Sequence, residues 1–185
     1  MRQVLTYTTS IIALAIGLVT GSAVAQTTAN GPYYANPSWD QQLPASTRFI
    51  VLSNFASAAV LDRETGLVWE KAPSTALTSD WFNAYNHCVT LNLGGRKGWR
   101  LPTIQELASL VDSSQVNPAL PSGHPFTVPS FPAAYWSATT IAFNTTNAWA
   151  VGFNGFSDGV VGSLIKSDVS GSPWCVRGGS AVDPL

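Results

Sequence analysis

Charge is scarce in this chain. Of its 185 residues only 10% are Asp, Glu, Lys or Arg, nine basic against ten acidic, for a net charge of −1. There is no basic stripe of the kind nucleic acid requires, so a nucleic-acid partner is not expected. The same balance gives little steering toward polyanions. Cysteine is nearly absent: two residues, Cys88 and Cys175, are too few for a cysteine-based zinc site. The two histidines, His87 and His124, lie far apart without ligand spacing, so neither a metal nor another cofactor is expected. Long hydrophobic runs are missing too. The stretch from Ile11 to Val19 is too short to span a bilayer. With Met1-Arg2 before it and the small-residue site Ala23-Val24-Ala25 after it, it reads as a signal peptide over 1–25. No cysteine near that site offers a lipid anchor. The expectation is an exported protein, secreted, periplasmic or at the cell surface, with no membrane span after cleavage.

Export changes what the two cysteines mean. Extracytoplasmic space is oxidising, and two cysteines allow only one intramolecular pairing, so a disulfide is expected. The rival reading, a nucleophilic dyad from adjacent His87-Cys88, is weak because neighbours on a helix point different ways.

Against these shortages stand seven Trp, fifteen Gly and twelve Pro. Such a chain builds a loop-rich domain with an aromatic core. Residues 26–47 are polar and punctuated by proline, a leader; 48–185 is the expected domain. Phe49 to Phe55 reads as a first strand. Ala58 to Leu61 and Leu67 to Lys71 read as a hairpin, with Asp62 opening the turn and Gly66 closing it in the left-handed region. Metal binding by Asp62 and Glu64 has little support, since Arg63 sits between them and the turn explains both. Asp80 caps a helix from about Trp81 to Leu91, with Gly94-Gly95 as its stop. Thr103 and Glu106 form a capping box for a second helix, Ile104 to about Asp112, after Pro102 has biased Leu101 to extended backbone. From 113 to 134 five prolines forbid regular structure. Short strands follow at Tyr135 to Thr140, Ala148 to Phe153, Val160 to Ile165 and Trp174 to Arg177, with turns at Asn154-Gly155 and Asp158-Gly159. Helices packed on small antiparallel sheets make the α+β class.

Five segments occur in one order: Asp62 to Glu70, Cys88 on a helix, Gly98-Trp99-Arg100-Leu101-Pro102-Thr103 onward to Leu107, Tyr135 to Thr139, and Trp174-Cys175-Val176-Arg177-Gly178-Gly179. Together they resemble the Lcl C-terminal domain family, named for a Legionella collagen-like adhesin, over roughly residues 48–180. The resemblance implies a C-type-lectin-like fold and an exported bacterial protein, but no reaction. It also supports pairing Cys88 with Cys175, because lectin-like folds bridge the first helix to the last strand. The formylglycine-generating enzyme family is distantly similar through Arg100 to Thr103 and Arg177 to Ser180. Its copper site needs two closely spaced cysteines, which this chain lacks. The calcium site of true C-type lectins is missing as well: 113–134 holds no Asp or Glu, and Trp149 is followed by Ala150-Val151.

What the resemblance implies is a non-catalytic binding or adhesion module for an extracellular glycan or matrix component. A structural or protein-binding surface protein is the alternative, with homo-oligomerisation left open, and an oxidoreductase is a distant third. A ligand is expected on a face formed by loop 113–134 and the turns 144–147 and 154–159. Asn144, Asn147, Asn154 and Asp158 would supply polar groups there, and Trp149 or Phe156 a stacking plane. Trp69, Trp99, Trp136 and Trp174 are expected in the core, and Arg100 is expected to pair with Asp62, Glu106 or Asp112. Phe49 to Phe55 is expected beside Val176 to Ser180.

Overall fold

A computed structural model describes residues 43–73, 79–129, 134–155 and 158–179. The expected signal peptide, most of the leader, Phe156 and Ser180 lie outside the described residues. The first element of the described residues is a single helical turn, α1 (Ala45–Arg48), which runs into β1 (Phe49–Val51). A 3₁₀ turn at Ser53–Phe55 leads to the hairpin β2 (Ala59–Asp62) and β3 (Val68–Glu70), then to α2 (Trp81–Thr90) and α3 (Ile104–Ala108). After the proline-rich segment come β4 (Ala134–Ile141), β5 (Asn144–Gly152), β6 (Val161–Ile165) and β7 (Val176–Arg177). Two antiparallel sheets result, ordered β1-β2-β3-β7 and β4-β5-β6. The class is α+β, with few helices.

The segment 171–177 stitches the sheets together. Its start bridges Ser79 and, at Ser172, the beginning of β4; its end pairs with β3 and bridges Arg100. Because successive residues of extended chain point to opposite sides, β1 to β5 and the segment before β7 feed two cores. Val60, Trp69, Tyr135, Trp174 and Val176 enter one, with Leu107, Phe126 and Phe153. Leu61, Val68, Trp136 and Cys175 enter the other, with Cys88, Trp99 and Ala150. This two-sided burial explains why β2 and β3 are buried at every position instead of alternating.

Several expectations meet their structure here. Trp69, Trp99, Trp136 and Trp174 are 0–2% exposed. Cys88 and Cys175 form a disulfide with Cα atoms 5.4 Å apart, joining α2 to the segment that enters β7. Gly66 takes a φ of +70° in the β2–β3 turn. Other expectations need correction. β1 and β7 share a sheet but are not neighbours, because the β2–β3 hairpin lies between them and β7 pairs with β3. The stretch 43–47 is not all leader, since Ala45 is buried in the first core. α2 ends before its glycines: Thr90 Oγ1 turns back onto Asn86 O at 2.7 Å, and Leu91 is already extended. Gly94-Gly95 instead form a separate turn closed by mutual backbone bonds between Leu93 and Arg96. α3 stops at Ala108, four residues short of the expected end. Ser109 Oγ takes the Glu106 carbonyl and Arg48 takes that of Ser109, so both are claimed and the next bonds tighten to i→i+3.

Candidate functional site

The five motif segments meet where the sheets join, and what they build there is scaffolding. Arg100 and Glu106 form a two-pronged ion pair, both bonds 2.7 Å, with Arg100 Nη2 also donating to Gly178 O at 2.7 Å. Of the three carboxylates expected for Arg100, Glu106 is thus the partner. Glu106 serves twice, because its Oε2 also accepts the Thr103 N–H and completes the capping box. Gly179 closes the arrangement at φ +70°; a Cβ there would lie 2.7 Å from Leu67 and 2.8 Å from Glu106. Trp136 Nε1 donates to Ser79 O, and Ser137 Oγ to Trp149 O.

Asp62 is committed elsewhere. It accepts two bonds from Arg48, at 2.9 and 2.8 Å, with Glu64 3.3 Å from the same guanidinium. Arg48 is 1% exposed and also donates to Ser109 O, tying α1, the hairpin turn and the end of α3 together. Sequence reasoning missed this cluster: a lone Arg before a first strand has no periodic or spacing signal. Beside it opens a cleft of about 350 Å³ lined by Leu43, Pro44, Arg48, Asp112 and Pro121 among others. Its lining sets one cation, Arg48, against one anion, Asp112.

A second unforeseen group surrounds the disulfide. Ligand-type atoms of Glu70, His87 and Cys175 lie within 4.8 Å of one another. Burial pushes the Glu70 carboxyl up to about 7, against a weak lowering by the Cys175 N–H, and pushes the His87 imidazole down. Burial, with the Glu70 charge adding to it, raises the Tyr135 phenol strongly. The sulfur of Cys175 is tied up in the disulfide, so this cluster presents no free thiolate.

The five described among the six expected ligand residues do not form one face. β5 is nine residues long, so at about 3.3 Å per residue its ends stand roughly 25 Å apart. Asn144 and Asn147 are at one end; Asn154 and Asp158 follow the other. Asn154 is 2% exposed and donates to Pro129 O, while Asp158 accepts from Asn117 N. Both hold the long loop, which Leu120 and Phe126 also pin into the core. At the hairpin, Asn144 accepts from Thr146 Oγ1 at 2.6 Å. Trp149 sits mid-strand, partly exposed, and Phe156 lies outside the described residues.

The register places Trp149 between buried Val151 and the exposed residues of β6. Directly opposite residues share a face, and the pairs are Asn147 with Ile165, Trp149 with Ser163 and Val151 with Val161. The β6 members of these pairs are all exposed. Trp81 is also partly exposed, but its ring is stacked on Tyr85 with Lys166 Nζ 4.6 Å from its centre, and its Nε1 donates to Ser137 O. A basic group lies elsewhere: Arg177 Nε donates to Lys97 O, bringing Arg177 to exposed Arg96 and Lys97.

The fold and site define a disulfide-stapled α+β domain whose buried charges hold the scaffold. Residues 58–177 match the model of the Lcl C-terminal domain, and the chain belongs to that family. Comparison with curated proteins and with solved structures finds no match. No helix among the described residues is long and apolar enough to cross a membrane.

Proposed function

We propose that this chain is an exported, non-catalytic, adhesin-like module that binds an extracellular glycan on the β5–β6 face around Trp149. The observation carrying this reading is the contrast among tryptophans. Trp69, Trp99, Trp136 and Trp174 are consumed by the cores, whereas Trp149 stays partly exposed beside Asn147 and exposed Ser163. An indole plane flanked by an amide and a hydroxyl suits a neutral pyranose, whose C–H face packs on the ring while its hydroxyls find polar partners. The non-catalytic part is supported by the use of the buried charges: Arg48 with Asp62 and Arg100 with Glu106 brace the fold. The frame is taken as C-type-lectin-like, supported by the helix-to-last-strand disulfide and the long pinned loop. Family membership supports a secreted or surface location.

A glycan array tests the proposal. Binding should fall at least about tenfold in Trp149→Ala, equivalent to ~1.4 kcal/mol, with near-UV ellipticity otherwise retained. Undiminished binding would remove the Trp149 face. A second reading rests on the Arg96, Lys97 and Arg177 group, which would take a sulfated glycan instead. That mode would weaken steeply with salt and would be abolished by Arg96→Glu with Lys97→Glu, substitutions to which the Trp149 mode is indifferent.

A further inference from the structure

Three elements converge on the disulfide. β3 meets the segment before β7 where Glu70 N donates to Cys175 O at 3.0 Å, and this brings the Glu70 carboxyl to the Cys175 N–H at 3.4 Å. α2 is joined to them through the bridge and carries His87 beside Cys88. Glu70 is 6% exposed and has no ion pair among the described residues. His87 Nε2 is buried with no hydrogen-bond partner among them either. Both groups lack what burial demands, a cation for the carboxyl and a partner or a metal for the ring nitrogen.

We infer that, in the reduced chain, Cys88, Cys175, His87 and Glu70 are the four ligands of a zinc ion, so that α2 and the segment entering β7 are clasped either by a disulfide or by a metal. The spacing fits. Ligand-type atoms of Glu70, His87 and Cys175 lie within 4.8 Å of one another. The ligand atoms of tetrahedral zinc stand about 3.3–3.8 Å apart, given bonds of about 2.0–2.3 Å. The Cα atoms of the two cysteines are 5.4 Å apart, so Cys88 brings the second sulfur to the same place. Two cysteines are too few for a zinc site by themselves; here one nitrogen and one oxygen complete the set. The donors also select the ion. Thiolates with an imidazole suit zinc, whereas calcium and magnesium want oxygen ligands and would find a single carboxylate. Two thiolates and that carboxylate would leave three buried negative charges, of which a dication offsets two.

Opening the bridge takes a dithiol. Its two S–H groups become its own disulfide, while two electrons and two protons pass to Cys88 and Cys175, which become thiols. Zinc then releases both thiol protons to solvent as the two Zn–S bonds form. In an oxidising compartment the disulfide is the resting clasp. In the reduced chain, zinc binding contributes folding free energy in its place.

The test needs no glycan, so its failure is distinct from failure of the glycan reading. The full chain is unfolded, reduced with a phosphine, and refolded with zinc or cobalt ions. Reduced wild type should take up one zinc per chain and regain near-UV ellipticity as it does so. Cobalt should give the intense visible bands of a tetrahedral site together with thiolate charge-transfer absorption. Glu70→Gln and His87→Ala should each weaken zinc binding by more than about tenfold, and the oxidised chain should bind far more weakly than the reduced one. Two thiolates of an unfolded chain would bind metal regardless of Glu70 and His87, so the variants separate a built site from loose capture. No uptake by the reduced chain, ellipticity that zinc does not restore, pale six-coordinate cobalt, either variant binding as wild type, or equal binding by the oxidised chain would overturn the inference.

Discussion

Glu70 stands at the residue scale as a buried carboxyl with no ion-pair partner among the described residues. Its pKa is raised from 4.5 to about 7 by burial, so the folded state binds the proton more tightly than the unfolded chain. That contribution is complete below about pH 4.5 and is lost as pH rises through 7; stability falls with pH across the window. At about 1.4 kcal/mol per pKa unit the loss is roughly 3–4 kcal/mol at most. His87 acts in the opposite sense, since burial favours its neutral form and acid opposes it. Glu70→Gln isolates the first effect: thermal melts from pH 4.5 to 8 should lose the declining slope, and the variant should be the more stable protein at pH 8. An unchanged slope would mean that Glu70 is ionised throughout.

At the scale of elements, α3 shows how one short helix is held by its entrance. Five residues have little intrinsic stability in water, so the Thr103–Glu106 box and the Arg100 pair must hold them. Thr103→Ala removes one cap bond and should cost about 1 kcal/mol. Glu106→Ala removes the other cap bond and leaves Arg100 without its carboxylate. That should cost about 3 kcal/mol, the low end for breaking a buried pair because Arg100 keeps some solvent contact. Urea titration of the two variants orders them, and equal losses would argue that the ion pair contributes nothing beyond the cap. The β2–β3 turn has the same economy. Asp62 accepts the Glu64 N–H within the turn and Arg48 from outside it.

For the whole molecule, the disulfide closes 87 residues and joins the two structural halves through the second core. In the chain-entropy account that loop length corresponds to about 4–5 kcal/mol, a large share of the ~5–15 kcal/mol of a typical domain. The double replacement Cys88→Ala with Cys175→Ala should therefore lower the melting temperature by many degrees, and calorimetry of the oxidised, reduced and replaced proteins measures it. Equal melting temperatures for all three would show that the cores suffice alone.

What the sequence determined by itself was local or combinatorial. A capping box is three residues of chain, Gly66 is one backbone angle, and two cysteines have one way to pair. The four core tryptophans were legible because each lies inside a motif at the start of a strand or helix. The tertiary structure alone decided what depends on distant partners. It gave Asp62 to Arg48, turned Asn154 inward to the long loop, and set Glu70 against His87 beside the disulfide. It also separated the two groups of expected ligand residues by the length of β5, and set partly exposed Trp149 opposite exposed Ser163. Strand register assigns a residue to core or surface, and register is a property of two strands together, which no single stretch of sequence contains.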